Sequence, residues 1–384
     1  MNFRSSFVAA CALARRAAAA LAAAAFAMLA AAPAPASTKV AVLATDYGAS
    51  GRVSTCTTHA PWTPATNLAT TCSDAVLRYF DGLFYVVNRF GCDNIQVLDP
   101  ASGFATLRQF SVGAGSNPYD IAFWSDTKAY VSRYDTDSLW VVNPETGAHL
   151  KSISLAPLAD ADGIPEMDHM ILLGGKLFVS VQRLDRNNFY TTTGPGRIAV
   201  IDVATDTLVD VDPGTAGKQG IVLAAGNPVT PLEWNLADRK FYVGEAGDYG
   251  VIDGGIEAVD PATLSASGLL VREDSLGGDV SVIRLSSATQ GYAIISDASF
   301  NTKLVRFDVT THRKFATPYP ATGFVLADCL LDDLGRVWLS DRTVSAPGLR
   351  VFDVATGAQL TGADRKSTRL NSSHIQKSRM PSSA

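Results

Sequence analysis

NPYDIAFWSDTKAYVSRYDTDSLWVVNPETGAHLKSISL, residues 117–155, holds four short apolar runs separated by turn residues. DIAF, AYVSRY, LWVVN and LKSISL each alternate apolar and polar positions, the period of a strand with one face covered. Asp126-Thr127, Asp135-Thr136-Asp137 and Asn143-Pro144-Glu145-Thr146-Gly147 mark the reversals. The question is whether this unit recurs.

It recurs six times. IQVLDPASG, LWVVNPETG, IAVIDVATD, IEAVDPATL, LVRFDVTTH and LRVFDVATG share one strand-to-turn pattern, with turn residues Asp99, Asn143, Asp202, Asp260, Asp308 and Asp353 spaced by 44, 59, 58, 48 and 45 residues. Asp and Asn suit this place because their side chains bond the backbone two residues on. A more apolar strand precedes each copy (LFYVVN, AYVSRY, LFVSVQ, FYVGEA, YAIISD, VWLSD), and another precedes that (DAVLRYF, NPYDIAF, EMDHMILL, PLEWNLA, DVSVIRL, FVLADCLL). A fourth follows the turn, as in TLRQFSV. Four strands at such a period describe the blades of a β-propeller. Separate sandwiches would need Greek-key connections and no fixed period. The expected fold is all-β, a seven-bladed propeller of four-stranded antiparallel blades. Six full units run from Ser73 to Gly362, and KVAVLATD with GRVSTCT begins a seventh that lacks an inner strand ahead of it.

The 117–155 stretch resembles the YVTN-type, YncE-like propeller repeat, through NPYD, AYVSRYDTDSLWVVNP and the Thr-Gly turn, and the resemblance extends over about residues 38–362. It implies the fold and varied binding roles rather than one activity. The chain departs from the regular repeat in the third and fourth units, with insertions such as RLDRNNFYTTTGPG and VDPGTAGKQG.

The two ends differ from the body. Residues 1–36 read as a secretory signal, with Arg4, Arg15 and Arg16, the apolar run AAAALAAAAFAMLAAA and the small-residue site Ala34-Pro35-Ala36. The run is short for a membrane span, and nothing later approaches one. A periplasmic or extracellular location follows, with residues 37–363 as one propeller domain. From Asp364 the chain turns to Arg, Lys and Ser without apolar period. Residues 364–384 resemble translated sequencing-adapter sequence, so they are expected to be a non-native, disordered tail standing where a closing strand for the first blade is missing.

With these two ends set aside, 24 Lys and Arg face 36 Asp and Glu. An acidic body argues against nucleic acid as partner, and the expected partner of a monomer is a small ligand or an envelope protein. Cys56 and Cys72, bounding a Thr- and Pro-rich loop, are a possible disulfide pair; Cys92 and Cys329 read as buried small hydrophobes.

Aligning the repeats places Asp120, Asp168, Asp328, Glu233 and Asp279 at one level of the inner strands, converging on one mouth of the channel. Two readings stand side by side: a cation site, with Ca²⁺ the suited ion because it takes several oxygen ligands, or five side chains capping their own loops. LADADGIPEMDHM concentrates Asp160, Asp162, Glu166, Asp168 and His169 within ten residues, the first four forming a candidate metal set. Trp234 offers an aromatic wall and Arg183 and Arg186 counter-charges. The candidate ligand site is therefore Asp120, Glu166, Asp168, His169, Glu233, Trp234, Asp279 and Asp328. No G-x-S-x-G, HExxH, CxxC, CxxCH or phosphate-binding glycine loop is present, so no catalytic residue is assigned. A binding protein is the leading reading; the alternative is a metal-dependent, lactonase-like hydrolase using the same carboxylates.

Overall fold

The computed structural model describes residues 39–45, 48–361 and the strand 372–377. The signal-like segment and most of the tail lie outside the described residues.

Seven small antiparallel sheets form the ring of a seven-bladed β-propeller. Blade 1 contains Lys39–Thr45, Gly51–Thr57 and Pro64–Thr71. Blade 2 is Ala75–Phe80, Leu83–Asn88, Asn94–Asp99 and Ala105–Ser111, and blade 3 is Pro118–Ser125, Lys128–Arg133, Ser138–Val142 and His149–Ser154. Blades 4 to 7 begin with the inner strands Met167–Leu173, Glu233–Asn235, Asp279–Leu285 and Leu326–Leu331. Within the described residues blade 7 has three strands, Arg336–Asp341 and Gly348–Asp353 completing it.

All six repeat-turn residues cap as their chemistry suggests. Asp99 Oδ1 accepts from Ala101 N at 2.8 Å, Asn143 Oδ1 from Glu145 N at 2.9 Å, and Asp202, Asp260, Asp308 and Asp353 accept in the same way. Each satisfies a backbone donor where one strand ends and the next begins. Both quoted insertions fall in blade 4, where the outer edge shrinks to Thr207–Leu208 and Ile221–Val222.

Apolar residues are buried between neighbouring blades. Tyr130, Leu139 and Ile153 of blade 3 pack on Leu177, Val179 and Ala199 of blade 4. Ring closure uses the same interaction: Val40, Val42 and Trp62 of blade 1 meet Trp338, Leu349 and Val351 of blade 7, with the Trp62 and Trp338 rings edge to face at 5.5 Å. Arg336 donates to the Thr58 carbonyl across the same seam.

Two expectations are corrected. The inner position of blade 1 is filled: Ser372–Lys377 pairs antiparallel with Lys39–Thr45, Val42 opposite Ile375 and Val40 opposite Lys377. The tail was read by its side chains, whereas a ladder is made by the main chain, and the open edge of Lys39–Thr45 presents donors and acceptors to any extended segment that reaches it. The disulfide joins Cys72 to Cys92, with Cα atoms 6.6 Å apart, and leaves Cys56 and Cys329 free and buried. Cys56 faces the seam between blades 1 and 7 beside Trp62, and burial pushes its thiol up to about 11. Cys72 instead ends the outer strand of blade 1 and meets the turn after the second strand of blade 2, so the bridge staples two blades.

Candidate functional site at the channel mouth

Inner strands begin at one face of the disc, where the turns after the second strands also lie. The carboxylates aligned by the repeat each meet a partner from the protein. Arg78, on the inner strand of blade 2, sets Nε 2.6 Å from Asp120 Oδ1 on blade 3, and the Met170 amide donates to Asp120 Oδ2 at 3.0 Å. Burial would raise the Asp120 carboxyl; Arg78 and His169 hold it below its ordinary value. Arg284, on the inner strand of blade 6, reaches Glu233 Oε1 at 3.0 Å and Asp328 Oδ1 at 3.3 Å. Asp279 accepts from the Gly250 amide at 2.7 Å. Among the described residues, no three His, Cys, Asp or Glu side chains gather closely enough to hold a metal ion.

The acidic stretch of blade 4 divides in two. Asp160 and Asp162 form consecutive turns, accepting from Asp162 N and Ile164 N. Glu166, fully buried, accepts from Leu184 N at 3.1 Å and from Arg186 Nε at 2.7 Å. Burial, against Arg186, pushes its carboxyl up to about 7. Arg186 also joins Asp135 at 2.8 Å, whereas Arg183 bonds the Pro195 carbonyl.

Asp168 differs from the other carboxylates. It is fully buried, its Oδ2 accepts from Gln182 Nε2 at 2.6 Å, and its Oδ1 has no hydrogen-bond donor. Burial raises its carboxyl well above the ordinary range, with Arg89 opposing and Asp120 adding to the rise. His169 lies between two acids, Nε2 3.6 Å from Asp168 Oδ1 and Nδ1 3.8 Å from Asp120 Oδ2. Burial lowers its pKa, against the pull of Asp120, so the ring favours its neutral form.

Above this group opens a cavity of about 440 Å³. Its walls come from several blades: Ser73, Asp74 and Arg89 from the edge of blade 2, Tyr119 from blade 3, Ser281 from blade 6 and Phe324 from the approach to blade 7. Arg89 pairs with Asp74 Oδ1 and lies over the Tyr119 ring, 4.6 Å from its centroid. Tyr119 stands edge to face with His169 at 5.6 Å, and the adjacent Tyr134 donates to Gln182. A continuous chain of contacts thus runs from the cavity wall to Asp168. The Cys72–Cys92 bridge fixes the two segments that carry Asp74 and Arg89: the Arg89 amide donates to the Asp74 carbonyl at 2.8 Å and Cys92 N to the Arg89 carbonyl at 2.9 Å.

Not every expected site residue faces this mouth. Glu233 lies toward the far end of the channel, against Arg284 and the Leu285 amide. Trp234 lines a separate groove with Leu236 and residues 285–288, at the turns joining first and second strands and hence on the opposite face. Arg78, Arg284, Arg89, Tyr119 and Tyr249 were not singled out in the sequence. Arg78 in DAVLRYF and Arg284 in DVSVIRL occupy inner strands of the repeat, and a cation in such a strand is a readable signal for a matched acid. Tyr249, from a long loop, had none.

No protein-family model and no curated protein sequence matches the chain. Among solved structures it is similar in fold to a candidate 6-phosphogluconolactonase from Bacteroides fragilis (TM-score 0.62, 14% identity, covering 90% of this chain and 99% of that one). A candidate 6-phosphogluconolactonase from Bacteroides uniformis matches with TM-score 0.63 and 13% identity over 88% of this chain and 99% of that one. Apo AztD from Citrobacter koseri matches with TM-score 0.50 and 9% identity over 89% and 98%. At such identities the shared property is the propeller.

Proposed function

We propose that the protein is an exported binding module that holds a small polyhydroxylated ligand in the mouth cavity. The observation that supports this most is the cavity's composition. At about 440 Å³ it falls in the range of small-molecule sites, roughly 300–1,000 Å³. Its wall includes hydroxyls (Ser73, Ser281), a matched ion pair (Asp74 with Arg89), a second arginine (Arg342) and aromatic rings (Tyr119, Phe324). Hydroxyl groups suit such a wall because one can donate to Asp74 while another accepts from Arg89, and the C–H face of a sugar ring can lie on an aromatic ring. A thermal-shift screen of neutral and acidic monosaccharides tests the reading. A stabilising hit abolished by Arg89→Ala supports it, and a hit indifferent to Arg89→Ala counts against it.

A hydrolase of the lactonase kind is the second reading, favoured by Asp168. A buried carboxyl with one unpartnered oxygen, held beside a neutral His169 beneath the cavity wall, has the protonation behaviour asked of a general acid. Acid release from sugar lactones in a pH-stat, with and without added Ca²⁺ and in Asp168→Asn, decides between the two.

A further inference from the structure

Loops of blades 4, 5 and 6 carry large apolar residues to the surface on the same face as the mouth. Phe189 is 96% exposed at the tip of the blade 4 insertion, and Tyr190, Tyr249, Val251, Ile252 and Phe300 are each between 48% and 54% exposed. They share one shelf. The blade 4 insertion is tied to the blade 5 loop by Thr192 N donating to Asp248 Oδ1 at 2.6 Å. A β-carbon on Gly250 would stand 3.8 Å from Phe300 Cζ of blade 6. Together the six side chains expose roughly several hundred Å² of surface, the size of the largest apolar patch on a typical monomer, which is often functional.

Phe189, Tyr190 and Phe300 also adopt left-handed backbone, with φ of 55°, 57° and 55°. Bulky side chains avoid this region, which suits Gly and Asn. Burial of the rings would compensate for the strain; Phe189 has almost none of it, and Tyr190 and Phe300 are only half covered. Strain retained without an internal return is a mark of a functional surface.

Charge narrows the occupant. The described loops on this face, residues 48–50, 72–74, 89–93, 112–117, 134–137, 155–166, 182–196, 246–254, 273–278, 297–301, 321–325 and 342–347, hold thirteen carboxylates and four arginines. Asp253 is exposed on the loop that carries Tyr249, Val251 and Ile252; Asp274 is exposed but pairs with Arg272 at 3.7 Å, and Arg186 is engaged with Glu166 and Asp135. Like charge disfavours a second copy of this chain and an anionic membrane.

We propose that the aromatic shelf of blades 4 to 6 docks a basic protein partner, whose apolar side chains cover Phe189, Tyr249 and Phe300 while its lysines and arginines meet the surrounding carboxylates. The probe is a fluorescent helical peptide of lysine and leucine, compared with its glutamate and leucine counterpart, with phosphatidylcholine vesicles and with self-association by sedimentation. Variants Phe189→Asn and Phe300→Asn remove the rings while suiting the left-handed backbone. The expected result is salt-sensitive binding of the lysine peptide alone, weakened about tenfold or more in the double variant, whose melting temperature is unchanged or raised. Equal binding of the acidic peptide, undiminished binding by the variant, or no binding of the lysine peptide overturns the proposal. So does vesicle binding or self-association that the double variant abolishes, since either would assign the shelf to a different occupant.

Discussion

Arg78 on blade 2 and Asp120 on blade 3 form a 2.6 Å ion pair inside the channel wall, with Asp120 almost fully buried. The pair joins two inner strands that share no ladder. A buried carboxylate that loses its cation keeps the desolvation penalty without the attraction.

Replacing Arg78 with Met should therefore destabilise the fold by about 3 kcal/mol, because Asp120 stays buried without its cation, with only backbone amides and His169 beside it. The further change Asp120→Leu should recover much of the loss. Chemical denaturation of the two variants measures this, and a double variant no more stable than the single one would show that the pair matters by geometry rather than charge.

The buried acids set the pH response. Glu166 and Glu273 are each pushed up to about 7 by burial, against Arg186 in the first case and against the Gly254 and Val280 amides in the second. A folded-state value above the unfolded one means that the native state holds more protons, so this contribution is complete below about pH 4.5 and is lost as pH rises through 7. Melting temperature should fall from pH 5 to pH 8. Glu273→Gln should flatten the fall, by at most about 1.4 kcal/mol per pH unit.

Peptide mapping without reductant should recover Cys72 linked to Cys92, with Cys56 and Cys329 as thiols. With the linked positions 20 apart in sequence, Cys92→Ser should cost about 3 kcal/mol in the chain-entropy account. It should also speed amide exchange at Arg89, whose carbonyl accepts from residue 92.

Removing residues 364–384 should leave the ring closed, because the contact of blade 7 on blade 1 runs through Trp62 and Trp338. The local effect belongs to Lys39–Thr45, which loses one neighbour of its ladder. Faster amide exchange confined to this strand is expected; global unfolding would show that the closing strand carries the seam.

Much of the fold was legible because a propeller repeats its turn chemistry. Asp99 and its five counterparts each cap a turn by a bond to the next residues, so their meaning is local and visible in one dimension. The channel was half legible. The repeat placed Asp120, Asp168 and Asp328 on inner strands, but whether each faces a cation depends on the neighbouring blade: Arg78 is 42 residues from Asp120, and Arg284 is 44 from Asp328. Glu233 and Trp234 were grouped with the mouth because a three-residue inner strand, Glu233–Asn235, gives too little pattern to fix their height in the channel. The disulfide was misread for a similar reason, since the spacing of Cys56 and Cys72 says nothing of Cys72 meeting the next blade's turn.

Calorimetric titration of the best-stabilising sugar tests the central claim most directly, comparing the natural chain with Arg89→Ala and with Ala327→Phe, which adds bulk at the cavity wall. Binding at one site per chain, abolished by both variants while their melting temperatures in the absence of sugar hold, is the predicted result. Undiminished binding in Ala327→Phe would place the ligand elsewhere and contradict the account.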